Sequence, residues 1–73
     1  MNNSRDNIAS NLRFLRSQKR LTQEEVAERI GVTRQAVAKW ERGESLPDLL
    51  NCEALAELFD VSLDNLVRYD SEQ

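Results

Sequence analysis

The chain lacks several residues on which enzyme active sites and metal centres depend. Its 73 residues include no histidine, one cysteine (Cys52), one proline and two glycines. There is therefore no cysteine pair for an internal disulfide, and the sequence shows no glycine-rich phosphate loop and no carboxylate cluster within its apolar segments. We expect a protein that is not an enzyme, with no catalytic residue, metal or cofactor, and with Cys52 as an inert, buried hydrophobic residue.

Long hydrophobic runs are also missing. No apolar stretch approaches the roughly 20 residues that a membrane-spanning helix requires, and the start MNNSRDN lacks the basic and apolar regions of a signal peptide. These absences predict a soluble, cytoplasmic protein with no membrane partner. The length suits a single domain, which we place at residues 6–69 between flexible ends at residues 1–5 and 70–73.

Negative charge predominates overall, with a net charge of −3, but not in the N-terminal half. Residues 1–43 contain nine basic and five acidic side chains, a net charge of +4, whereas residues 44–73 contain one basic and eight acidic side chains, a net charge of −7. An anionic partner would therefore dock on the N-terminal half. The acidic C-terminal half would suit a basic protein partner.

Apolar residues recur at intervals of three and four, which is the period of amphipathic helices. This pattern predicts five helices, at about residues 6–18, 22–31, 33–41 and 48–59 and from residue 62 onward, with breaks at Gly31, Gly43 and Pro47. The predicted N-caps are Thr22, in a capping box with Glu25, then Thr33, Asp48 and Ser62. The expected apolar stripes comprise Ile8, Leu12, Leu15, Val26, Ala27, Ile30, Val37, Trp40, Leu49, Cys52, Leu55, Ala56, Phe59, Leu63, Leu66 and Val67.

The second and third predicted helices have the spacing of a helix-turn-helix unit, between Thr22 and Gly43. A steep crossing around a tight turn needs a small contact residue, a turn residue that tolerates positive φ, and a compact apolar residue in the second helix. Ala27, Gly31 and Val37 meet these conditions in order. Each residue type is common, but the ordered set within TQEEVAERIGVTRQAVAKWERG is specific.

From residue 8 to residue 67 the chain resembles the Xre-type helix-turn-helix family, which includes the phage repressors and Cro proteins. The similar segments are LRFLRSQKRLTQEEVA, IGVTRQAVAKWERG, PDLL and FDVSLDNL. The resemblance implies an all-α fold, a compact five-helix lambda-repressor-like DNA-binding domain that usually acts as a homodimer on an inverted-repeat operator. The chain departs from the pattern at Asp60, where similar sequences often have glycine; aspartate tolerates such a position better than most residues.

The resemblance implies that the third predicted helix, residues 33–41, enters the major groove of double-stranded DNA. With Val37 and Trp40 facing inward, the side chains of Arg34, Gln35 and Lys39 would face outward. Arg34 could bond to guanine O6 and N7, Gln35 to adenine N6 and N7, and Lys39 to a guanine or a phosphate. The alternative is that all three belong to an ordinary solvated helix face.

A second group of residues is predicted to contact DNA phosphates and fix the register of the protein on the duplex. On the family pattern this group comprises Gln23, Thr33, Arg42, the backbone of Gly43, Ser45 and Arg16. The resemblance also implies a salt bridge from Arg16 to Glu41, which would hold the arginine near a phosphate. As a surface pair it would contribute roughly 0–1 kcal/mol. Arg13 is expected to be an ordinary surface charge.

Leu50, Ala54 and Leu58 form a second apolar stripe, offset from the first. With Tyr69 they could form a dimer interface, or Phe14 and the first helix could cover them.

Together these patterns predict a sequence-specific transcriptional regulator, a repressor that acts as a homodimer on double-stranded DNA. The rival function is a protein-binding adaptor or antitoxin-type module that uses the acidic C-terminal half.

Overall fold

The computed structural model describes the backbone of residues 4–68 and the side chains of residues 7–68, and this part of the chain folds into five α-helices. They are α1 (Ser4–Gln18), α2 (Gln23–Ile30), α3 (Arg34–Glu41), α4 (Leu49–Phe59) and α5 (Leu63–Arg68). The all-α fold and its five helices are confirmed, and α1 begins two residues before the predicted start. Tyr69, a predicted dimer contact, lies outside the described residues.

The predicted N-caps are confirmed by hydrogen bonds. At the start of α2, the hydroxyl of Thr22 accepts from the amide of Glu25 at 3.0 Å, and the Glu25 carboxylate accepts from the amide of Thr22 at 2.8 Å. These two bonds complete the capping box. In the same way, side-chain oxygens of Thr33, Asp48 and Ser62 accept from the amides of Ala36, Asn51 and Asn65 at 3.1, 2.8 and 3.0 Å.

Four helices are followed, within two residues of their last residue, by a residue with left-handed backbone, which lets the chain turn sharply into the next segment. Gly31 and Gly43, with φ of 76° and 75°, adopt it freely, whereas Arg20 and Asp60 adopt it at 57° and 59° with a side chain present. The amide of the residue that follows each of them donates a hydrogen bond to a carbonyl of the preceding helix. These bonds are Leu21 to Arg16 at 3.2 Å, Val32 to Ala27 at 3.0 Å, Glu44 to Lys39 at 3.0 Å and Val61 to Ala56 at 3.0 Å. Asp60 thus closes α4 where similar sequences often use glycine.

One apolar core joins all five helices. α1 lies against α3 and α5, α2 against α3 and α4, and α4 against α5. The buried side chains of this core are Ile8, Leu12, Val26, Ala27, Val37, Trp40, Cys52, Leu55, Ala56, Phe59 and Leu66. The inward orientation of Val37 and Trp40 is therefore confirmed, and it fixes which face of α3 meets solvent.

Leu49 and Leu63 are the exceptions, because their side chains are 63% and 36% exposed, and the prediction that they belong to the apolar stripes of the core is wrong. The buried residues of α4 are Cys52, Leu55, Ala56 and Phe59. At 100° per residue, Leu49 lies about 70° from the centre of that stripe. It is also the first residue of the helix, so it stands at the edge of the stripe and at the end of the element.

Cys52 is buried, as predicted, and its Sγ donates a weak hydrogen bond to the carbonyl of Pro47 at 3.5 Å. Burial raises the pKa of the Cys52 thiol, and the nearby Asp48 carboxylate raises it further. The thiol therefore stays protonated and unreactive at neutral pH.

Candidate nucleic-acid interface

The solvent-facing side of α3 carries the three side chains predicted to read bases. Arg34, Gln35 and Lys39 are all exposed, because the phase of the helix directs Val37 and Trp40 to the core. These three residues line one half-open groove together with Ala38 and two predicted phosphate contacts, Gln23 and Arg42. The α2 and α3 helices thus bring base-reading and anchoring candidates onto a single surface.

The groove is rich in hydrogen-bond donors and positive charge. Arg34, Lys39 and Arg42 contribute cationic groups, and Gln23 and Gln35 contribute amides that can both donate and accept. Such a set suits phosphate oxygens and the edges of bases. Within the side chains described, no three histidine, cysteine, aspartate or glutamate residues are grouped so as to hold a metal ion.

Glu41, the last residue of α3, connects this surface to the rest of the domain. Its side chain is 4% exposed, and Arg16 donates to it twice, from Nε to Oε2 at 2.7 Å and from Nη2 to Oε1 at 3.0 Å. The remaining terminal nitrogen, Nη1, donates to the carbonyl of Leu21 at 2.9 Å. The hydrogen bonds that Arg16 donates to the Glu41 carboxylate raise the pKa of Arg16, so this guanidinium is charged at any working pH.

The Arg16–Glu41 salt bridge is therefore confirmed, but the prediction that it is a surface pair is wrong. The carboxylate is buried, and 24% of the arginine side chain is exposed. In such a position the loss of one partner leaves a poorly solvated charge, which costs more than the loss of a surface pair. The sequence could not show this, because the burial depends on how α1 meets the end of α3.

Gln23 is also held by Glu41. Its Nε2 donates to Glu41 Oε1 at 3.0 Å, which fixes the orientation of a half-buried amide at the first position of α2. Arg13 approaches the same residue from α1, and its Nη1 donates to the backbone carbonyl of Glu41. Sequence reasoning treated Arg13 as an ordinary surface charge and missed this contact, which joins residues 28 positions apart.

Arg42 follows α3 and forms an ion pair that the sequence pattern did not indicate. Its Nε donates to Glu44 Oε2 at 2.7 Å and its Nη2 to Glu44 Oε1 at 3.3 Å, with just over half of each side chain exposed. The hydrogen bond from Arg42 lowers the pKa of Glu44, and the charges of Arg42 and Lys39 lower it further. Residues two apart do not face each other on a helix, so no helical spacing could have indicated the pair.

The other predicted phosphate contacts lie outside the groove lining. Thr33 is exposed, and its hydroxyl accepts from Ala36 as an N-cap, which leaves its proton free to donate elsewhere. The amide of Gly43 donates to the carbonyl of Trp40 at 3.1 Å, and Ser45 is half-buried. Their contacts with DNA stay predictions.

The second apolar stripe of α4 is covered only in part. Leu50 is 74% exposed, Ala54 is half-buried, and Leu58 is half-buried against the core. Among the described members of the predicted dimer interface, Leu50 is therefore the most exposed.

Comparison with known proteins identifies relatives that match most of this chain. A helix-turn-helix family model, HTH_3, matches residues 12–66. The chain is 41% identical over 65 residues to the cryptic phage CTXphi transcriptional repressor RstR of Vibrio cholerae, covering 89% of this chain and 58% of that protein. It is 39% identical over 56 residues to the HTH-type transcriptional activator BcrR of Enterococcus faecalis, covering 77% of this chain and 28% of that protein.

Among solved structures, the fold is similar to that of the P22 c2 repressor in complex with a synthetic operator. The TM-score is 0.82 at 28% sequence identity, and the match covers 86% of this chain and 96% of the repressor chain.

The described helices offer no segment long and apolar enough to cross a membrane. The chain spans less than two thirds of the length of both curated relatives named above.

Proposed function

Because the chain belongs to the Xre-type helix-turn-helix family, we propose that it is a sequence-specific transcriptional regulator of repressor type that binds double-stranded DNA through α3. It acts by binding alone, without catalysis, in the cytoplasm. The observation that carries this proposal is the single groove that gathers Gln23, Arg34, Gln35, Lys39 and Arg42 on one open face.

Base recognition is assigned to three of these residues. Arg34, at the first position of α3, offers a planar fork of donors that matches guanine O6 and N7, and the amide of Gln35 matches adenine N6 and N7. Lys39 lies in the last turn of α3 and reaches either a guanine or a phosphate. All three are exposed, so binding needs no rearrangement of the core.

Phosphate anchoring is assigned to Gln23, Thr33, Arg42, the Gly43 backbone, Ser45 and Arg16. Gln23 and Arg16 are supported best, because both donate to the buried Glu41 carboxylate and are held in place before DNA arrives. Residues positioned in advance lose less conformational entropy on binding. These contacts fix the register and carry no sequence information by themselves.

Assembly as a homodimer on an inverted repeat is part of the proposal. The exposed Leu50 side chain supports an interface that includes Ala54, Leu58 and Tyr69. A two-fold dimer would set its recognition helices about 34 Å apart, one turn of DNA. Sedimentation at high micromolar concentration, with and without duplex, should detect the dimer; monomer alone under both conditions would exclude it.

The DNA target can be found by selection from random sequence. Purified protein is incubated with a library of random duplexes, and the retained sequences are amplified and read. The selected duplex and a scrambled duplex of the same composition are then titrated at several salt concentrations. Preference for the selected duplex, with affinity that falls as salt rises, supports the proposal. If the protein shows neither preference for the selected duplex nor salt-dependent affinity, the alternative function of a protein-binding adaptor is favoured.

Two substitutions test the sorting of contacts. Arg34→Ala should relax preference at one base position, at a cost of about 1–3 kcal/mol, while Gln23→Ala should weaken binding to all duplexes alike. Glu53→Gln on the exposed side of α4 is the control for a surface substitution away from the groove. For Gln23→Ala the affinity for the selected duplex and for the scrambled duplex should fall by the same factor. If Arg34→Ala also lowers both affinities by one common factor, the assignment of base contact to Arg34 is wrong.

A further inference from the structure

The guanidinium of Arg42 is already occupied by a carboxylate of the same chain. Glu44 offers its two oxygens to Nε and Nη2 at 2.7 and 3.3 Å, which is the two-point arrangement in which a phosphate would also bind an arginine. Both side chains are more than half exposed, and Arg42 lines the groove assigned to DNA. Glu44 therefore stands at a position where a phosphate would bind.

The backbone places Glu44 there. Gly43 has φ of 75°, and the amide of Glu44 reaches back to the carbonyl of Lys39 at 3.0 Å, which folds the chain over the end of α3. The C-terminal end of a helix carries partial negative charge, so a carboxylate at this position does not stabilise α3 through the helix dipole. The placement of Glu44 is thus not explained by helix stability.

We propose that Glu44 competes with DNA phosphate for Arg42 and thereby sets the strength of DNA binding. The inference rests on the proposed function, in which Arg42 anchors a phosphate. DNA must displace the Glu44 carboxylate from the guanidinium, and the displaced charge then stays beside the phosphates. Since phosphates carry no sequence information, Glu44 weakens binding to every duplex alike and leaves base preference unchanged.

The test compares Glu44→Gln with Glu53→Gln, which makes the same change of charge on the exposed side of α4. Affinity is measured for the selected and the scrambled duplex at several salt concentrations. Glu44→Gln should bind both duplexes about three- to tenfold more tightly at low salt, with the gain shrinking as salt rises. Glu53→Gln should change affinity by a smaller factor at every salt concentration, because Glu53 neither lines the groove nor pairs with an arginine that lines it.

A cycle with Arg42→Gln shows whether Glu44 acts through this arginine. In the Arg42→Gln background the gain from Glu44→Gln should fall well below its wild-type value. An undiminished gain would show that Glu44 acts as a general surface charge and would overturn the competition. Weaker binding by Glu44→Gln would mean that Glu44 orients Arg42 for DNA, which also overturns it.

Failure of the inference can be told apart from failure of the proposed function. If the wild-type protein binds the selected duplex and Glu44→Gln matches Glu53→Gln, the role of Glu44 is refuted and DNA binding stands. If the wild-type protein binds no duplex in a salt-dependent manner, both are refuted. Circular dichroism of each variant confirms that it is folded before its affinity is interpreted.

Discussion

Replacing Glu41 by glutamine removes one negative charge while keeping the size and shape of the side chain. In the native protein the carboxylate accepts two hydrogen bonds from Arg16 and one from Gln23. A glutamine keeps one acceptor oxygen and turns the other into a donor, which would face N–H groups. Because the side chain at position 41 is 4% exposed, water has little access to replace the lost hydrogen bonds.

The expected cost follows from these contacts. Loss of a hydrogen bond to a charged group costs about 1.5–3 kcal/mol, and breaking a buried ion pair costs about 3–5 kcal/mol. Because 24% of the Arg16 side chain is exposed and can regain some water, the lower end applies. We expect Glu41→Gln to lower the free energy of unfolding by about 2–3 kcal/mol, and Tm by about 10–20 °C in a domain of this size.

Thermal unfolding followed by helical circular dichroism and by Trp40 fluorescence measures this change. The two signals should coincide if the domain unfolds as one unit. The matched control is Glu44→Gln, the same chemical change three residues further along in an exposed pair, where Tm should hardly move. The reasoning is refuted if Glu41→Gln and Glu44→Gln melt within about 2 °C of each other.

Three further outcomes follow from the same structure. Gly31→Ala should cost about 1–2 kcal/mol in urea unfolding, because φ is +76° and an added Cβ would meet no heavy atom within 4 Å, which leaves backbone strain as the cause. Asp60→Gly, at φ of 59°, should raise stability in the same assay by about 0.5–1 kcal/mol. Cys52 should react with a thiol reagent only slowly at pH 8 and fast in urea, since it is buried and burial raises its pKa. Asp48→Asn, which keeps a capping oxygen, should lower that pKa. Fast reaction of native Cys52 would contradict its burial.

The local signals in the sequence were sufficient to predict the five helices, and the family resemblance indicated their arrangement. Thr22 with Glu25, Thr33 and Asp48 are caps whose hydrogen bonds span three residues, so their pattern can be seen directly in the sequence. Gly31 likewise marks a helix end by its own conformational freedom. Leu49 shows the limit of periodicity, because a stripe predicts which residues share a face but not where neighbouring helices stop covering it.

The candidate site was predictable where it depends on helix phase. Arg34, Gln35 and Lys39 face solvent because Val37 and Trp40 face the core. The supporting contacts depend instead on long-range packing. The end of α1 meets the end of α3 across 25 to 28 residues of sequence, and no spacing rule encodes that approach. The resemblance alone indicated the partner of Arg16, and it gave no measure of burial.

Two glutamates at the end of α3 show why burial, rather than charge, decides what an acidic residue does beside a DNA-binding surface. Glu41 is buried and accepts hydrogen bonds from Arg16 and Gln23, so its loss should first lower the stability of the domain. Glu44 is exposed and pairs with Arg42, a residue that lines the groove, so its loss should change the affinity for DNA. A net charge of −3 is therefore compatible with DNA binding, because what a duplex meets is set by the few charges at the groove. Arg34 and Lys39 form no ion pair with another described side chain, and Arg42 becomes available once Glu44 is displaced.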